Sequence, residues 1–67
     1  MIGITINGKP GEIGRPQTVT ELLQGLNVRP EQVAVAVNGE VIARGAWAGT
    51  TIKDGDVVEI VRAVGGG

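Results

Sequence analysis

The chain has 67 residues, a formal net charge of −1, 42% hydrophobic residues and one aromatic side chain, Trp47. This is a single domain near the lower size limit for one hydrophobic core, with little volume for a deep substrate pocket, and its Ile- and Val-rich composition favours strands. Cys, His, Ser and Tyr are all absent, which removes thiolate and imidazole catalysis, zinc ligation by soft donors and disulfides, and leaves little basis for an autonomous enzyme.

Residues 1–7 alternate Ile2, Ile4 and Ile6 with Gly3, Thr5 and Asn7, a period of two that predicts a strand with one buried face. Asn7-Gly8 marks a hairpin turn. The second strand, residues 9–13, contains Pro10 and Gly11 and is expected at an edge or as a bulged segment. Thr18-Val19-Thr20-Glu21 has the spacing of a capping box and predicts a helix start. Val19, Leu22, Leu23 and Leu26 then form one apolar stripe, Gly25-Leu26-Asn27 supplies the ending, and Pro30 marks the exit. At about two turns such a helix does not persist alone, so a sheet must cover its stripe.

The run from Val33 to Val37 sets three valines on one face and Ala34 and Ala36 on the other, and Asn38-Gly39 is a second hairpin signal. Residues 40–42 continue as a short strand, and residues 43–49, around Trp47, read as irregular or as one helical turn. Lys53-Asp54-Gly55-Asp56 is a turn launching the last strand, residues 57–62, in which Val58 and Ile60 alternate against Val57, Glu59 and Val61. The expected fold is α+β, a mixed sheet of four to five strands packed on one main helix. Two hairpins flank a helical crossover, and the right-handed crossover rule sets the first and last strands side by side in mid-sheet.

The chain closes on Gly65, Gly66 and Gly67. Without Cβ atoms these residues can thread a narrow channel, extending roughly 10 Å. The expected organisation is a domain over residues 1–64 and a flexible tail over 65–67. With the usual side-chain nucleophiles missing, the terminal carboxylate of Gly67 is the candidate reactive group.

The remaining classes narrow quickly. Lys9, Arg15, Arg29, Arg44, Lys53 and Arg62 are scattered and make no stripe for a phosphate backbone, so nucleic acid is not an expected partner. The longest purely apolar run, Val33 to Val37, is far too short to span a bilayer, and Met1 opens directly on a strand pattern, so neither a membrane nor a signal peptide is expected and the cytoplasm is the default compartment. Asp54 and Asp56 read as turn residues, because a calcium loop needs further ligands at other spacings, and no metal is expected. Trp47 reads as a packing residue at the sheet edge, with a partner contact as the alternative. Lys9 and Lys53 read as solvated surface.

Taken together, Ile4 to Gly8, the Thr18-Val-Thr-Glu-Leu-Leu helix start, Val35-Ala-Val-Asn-Gly39, Arg44 to Trp47, Asp54-Gly-Asp56 and the Val64-Gly-Gly-Gly67 end resemble the ubiquitin-like β-grasp sulfur carriers over essentially the whole chain, and within them the ThiS family of thiamine biosynthesis. Carriers of molybdopterin synthesis typically run longer and place a proline before the tail, which Ile60 to Val64 does not contain. The resemblance implies a β-grasp fold and a chain that is not an enzyme and binds no cofactor itself. An E1-like adenylyltransferase of the ThiF type would use ATP to activate Gly67, a sulfur donor such as a cysteine desulfurase would supply sulfur, and the resulting thiocarboxylate would serve a thiazole synthase of the ThiG type. Gly65 and Gly66 would give the partners access.

The sheet side left open by the helix is the candidate docking surface, with Arg62 as a charge partner near the tail or, equally, as a solvated strand charge. Alternatives are a carrier for molybdopterin, tRNA thiolation or cysteine synthesis, a noncatalytic β-grasp binding module, and ubiquitin-like conjugation through Gly67.

Overall fold

The computed structural model describes residues 1–62; the expected tail, with Gly65, Gly66 and Gly67, lies outside the described residues. The strands are β1 (Ile2–Ile6), β2 (Lys9–Ile13), β3 (Gln17–Thr18), β4 (Val33–Val37), β5 (Glu40–Ile42), β6 (Thr51–Ile52) and β7 (Val57–Arg62), with one α-helix, α1 (Val19–Gly25), and 3-10 turns at Pro30–Gln32 and Arg44–Gly49. Five strands form a mixed sheet in the order β2-β1-β7-β4-β5. The outer pairs are antiparallel hairpins, whereas β1 and β7 run parallel at the centre, as the crossover rule requires.

Both hairpins turn on an Asn-Gly pair with positive φ, 51° and 80° at Asn7-Gly8 and 53° and 84° at Asn38-Gly39. Two consecutive positive values match the right-handed strand twist, and Asn and Gly tolerate them best. β2 is an edge strand, and its Pro10, opposite Thr5, sits where a missing N–H can be tolerated.

α1 begins as the capping box predicts: the Glu21 amide donates to Thr18 Oγ1 at 3.1 Å and the Thr18 amide donates to Glu21 Oε1 at 3.0 Å. Val19, Leu22 and Leu23 are buried, but Leu26 is 44% exposed and does not belong to the stripe. The reason is the helix ending. Asn27 adopts φ 58°, its amide donates to the Gln24 carbonyl and the Val28 amide to the Leu23 carbonyl, the paired bonds of a Schellman motif with Asn in the glycine position. Leu26, the helix C-cap, lies past the covered part of the stripe, and the reversal at Asn27 brings Val28 back against the core.

The core lies between α1 and one face of the sheet. Ile6, Val58 and Val37 form one cross-strand row and Ile60, Val35 and Ile42 another, and Ile4, Val33, Ile52 and Trp47 complete the cluster. Trp47 is 4% exposed, and its indole N–H donates to the Ile42 carbonyl at 2.9 Å, which fixes it as a packing residue. A second sheet, β3 with β6, is not predicted by periodicity, since two-residue strands have no period to read. Its register, Gln17 with Ile52 and Thr18 with Thr51, together with the Val19 amide on the Thr50 carbonyl, clamps the helix start to the chain before the last turn.

The DGD turn fastens the last strand. Asp54 Oδ1 accepts from the Gly3 amide at 2.8 Å, and Asp56, 9% exposed, accepts from the Lys53 amide at 2.7 Å and from Asn38 Nδ2 at 3.0 Å. Both aspartates are thus turn residues. Lys9 and Lys53 are exposed, as expected.

Replacing Asn38 by Asp sets a carboxylate beside Asp56 in place of an amide donor. Asn38→Asp is expected to lower unfolding free energy by about 2–3 kcal/mol at neutral pH, with a smaller loss in acid, measured by urea denaturation. Thr18→Ala should remove about 1 kcal/mol with little change in denaturant slope.

Candidate functional site

The site is built around the end of β7, the strand that leads in sequence into Gly65, Gly66 and Gly67. Three groups of contacts hold this strand. β1 pairs with it in parallel, Thr5 opposite Val57 and Ile6 opposite Val58. β4 pairs with residues 58–62 of it, from Val37 opposite Val58 to Val33 opposite Arg62. Side chains then extend the ladder where backbone pairing stops: Asn38 Oδ1 accepts from the Val57 amide at 2.9 Å and Asn7 Oδ1 from the Ile60 amide at 2.8 Å.

The two faces of β7 differ. Val58 is fully buried and Ile60 partly, facing α1, whereas Val57 and Val61 are 43% and 62% exposed on the open side. There the rows are Thr5 with Val57, Glu59 with Ala36 and Val41, and Val61 with Ala34. Val41 is 74% exposed. Three exposed valines over small alanines, with a single carboxylate among them, make an apolar surface beside the strand that precedes the tail. This is the open side named as a docking surface.

Arg62 does not belong to that surface. Alternation along β7 sets it with Val58 and Ile60 on the helix side, where it lines a cleft of about 310 Å³ with Leu26, Val28, Arg29 and Val33. Sequence reasoning paired Arg62 with the wrong face and passed over Arg29 and Leu26. The alternation of Val58 and Ile60, carried two residues further, was the available signal for Arg62; none existed for its two neighbours, which a Schellman turn brings there.

Nothing in the described part offers a second chemical centre. Among the described residues, no group of three His, Cys, Asp or Glu side chains comes together as a metal site. No helix among them is long and apolar enough to cross a membrane. Arg44 stacks 5.5 Å from the centroid of the Trp47 ring, a cation-π contact that covers a packed tryptophan.

Comparison with known proteins agrees with this architecture. The ThiS family model matches residues 4–67. The Escherichia coli sulfur carrier protein ThiS is 33% identical over 64 residues, which cover 96% of this chain and 97% of that protein. A thiazole synthase of Magnetococcus marinus is 38% identical over 64 residues, and here the chain spans only 20% of the relative's length. The crystal structure of the thiamine biosynthesis protein ThiS from Geobacter metallireducens superposes with a TM-score of 0.89 at 48% identity, covering 98% of this chain and all of that one. With a β-grasp sheet built around the strand before a glycine end, and a family match that runs from the first strand through Gly67, the chain belongs to the ThiS family.

Proposed function

We propose that this chain carries sulfur for thiazole formation in thiamine biosynthesis, as a protein cosubstrate and not an enzyme. The observation that carries the proposal is the family match through residue 67, which includes the glycine end that the chain's composition singles out as its reactive group. The thiazole synthase relatives add to it, because a segment like this one lies within them.

A terminal carboxylate, with an ordinary pKa of about 3.3–3.7, is ionised and unreactive toward nucleophiles at neutral pH. It needs a leaving group. An E1-like adenylyltransferase of the ThiF type supplies one: a Gly67 carboxylate oxygen attacks the α-phosphorus of ATP and expels pyrophosphate, forming an acyl-adenylate. ATP is therefore used by the activating partner, and this chain binds no cofactor itself. Sulfur from a persulfide, originating in a cysteine desulfurase, displaces AMP, and a thiol that is oxidised to a disulfide in the same exchange releases the thiocarboxylate. A thiazole synthase of the ThiG type then takes the sulfur into the forming ring. A partner step that uses ATP supports a cytoplasmic location.

The domain's part is delivery. Gly65 and Gly66 can pass a channel too narrow for side chains, and ordering them takes about 1–2 kcal/mol per residue, which a docking contact must offset. The exposed Val41, Val57 and Val61 supply apolar surface for that contact. The partners supply the oxyanion and phosphate contacts that the reaction needs.

Incubation with ATP, the activating enzyme and a sulfur source should shift the intact mass by oxygen replaced by sulfur, with the change located at Gly67; higher-mass lysine adducts instead would favour conjugation, and no shift would sink the proposal. Deleting Gly66 and Gly67 should leave the thermal midpoint unchanged and abolish sulfur loading, whereas a plain binding module would keep its function. The double variant Val41→Gln/Val61→Gln should fold normally and bind the synthase about tenfold more weakly in a titration.

A further inference from the structure

The cleft on the helix side of β7 is a different surface from the open sheet face. It is floored by Val28 and Val33, edged by Leu26 and flanked by Arg29 and Arg62, and its volume of about 310 Å³ would hold one or two side chains of another protein. Arg29 and Arg62 are both exposed, and among the described residues no carboxylate lines the cleft with them. Leu26 is 44% exposed although it follows an apolar stripe, and it lies at the rim of this cleft. Arg29 precedes the 3-10 turn at Pro30–Gln32 without capping it through its side chain.

From these observations we infer that the cleft is a docking site for an acidic segment of the ATP-dependent activating enzyme, whose carboxylates pair with Arg29 and Arg62 while an adjoining apolar side chain rests on Leu26 and Val28. Charge complementarity selects the acidic occupant. A rigid, planar guanidinium presents a fork of donors that matches a carboxylate, and two of them around an apolar floor favour a peptide segment over a small free anion. Position selects the partner. Arg62 stands three residues before Gly65 in the sequence, so an enzyme that takes up Gly67 approaches the chain beside this rim, and activation is the step that the carrier and conjugation readings both require. The inference rests on the carrier reading, which supplies that enzyme.

The test separates docking from chemistry by using a chain lacking Gly66 and Gly67 as a competitor and the full chain as substrate of the same activating enzyme. Arg29→Glu/Arg62→Glu should weaken the truncated chain as a competitor about 10- to 100-fold. In the full chain it should raise KM for the carrier by a similar factor, leave kcat nearly unchanged and flatten the salt dependence of binding. Arg29→Lys/Arg62→Lys should recover part of the loss. Circular dichroism and the thermal midpoint should be unaltered, since both side chains are exposed.

Unchanged competition by the charge-reversed chain at low salt overturns the inference, as does a loss fully explained by unfolding, a loss of synthase binding with activating-enzyme binding intact, or displacement of the enzyme by inorganic phosphate alone. Arginine-dependent competition without any mass change at Gly67 would support the docking site and count against the carrier reading, so the two fail separately.

Discussion

The structure depends on the parallel pairing of β1 with β7. Only two residue pairs define its register, Thr5 with Val57 and Ile6 with Val58, and parallel pairs are slightly less stable per residue than antiparallel ones. Side chains make up the difference at both ends. Asp54 ties the turn to the Gly3 amide before the pairing starts, and Asn7 takes the Ile60 amide after it stops. A slip of one residue would turn Val58 and Ile60 out of the core and Glu59 into it, so these bonds protect the hydrophobic pattern as well as the ladder.

The same bonds explain why the turns are built from Asn, Asp and Gly. Asn38 serves twice: its backbone makes the hairpin turn, and its side chain bridges the Val57 amide to Asp56. Among the described residues no buried side-chain nitrogen or oxygen lacks a hydrogen-bond partner. In a chain this small, where each core residue is a large share of the total, an orphaned polar group at the sheet centre would be a severe loss. An aliphatic core closed by one tryptophan, together with saturated turns, gives a firm base for the strand that precedes the glycine end.

That base has two chemically distinct faces at its end. The open side of the sheet presents valine and alanine, and the helix side presents two arginines around an apolar floor. A partner that docked at this end could use apolar area and charge together: the first would add affinity, and the second orientation and rejection of wrong partners. On the proposed carrier reading the reactive atom and the recognition surfaces are separate: chemistry would belong to the terminal residue and selection to the domain.

Much of this was legible in the sequence because it depends on neighbours. The Thr18 to Glu21 capping box, the two Asn-Gly turns, the alternation in β1, β4 and β7 and the lack of Cys, His, Ser and Tyr are local patterns or plain composition, and each has one dominant physical reading. The glycine end is read directly from the last three residues, whereas its chemistry is what the resemblance to the sulfur carriers implies. What required the tertiary structure were contacts between distant segments: the β3 and β6 pairing, too short to carry a period; the exposure of Leu26 at the helix end, before the two hydrogen bonds of the Asn27 turn; and the placing of Arg29 and Arg62 around one cleft. The sequence by itself determined which strand leads to the glycine end, since this follows from residue order. Only the fold decided which face each residue near that end presents, because facing is settled by how β7 pairs and what the helix covers.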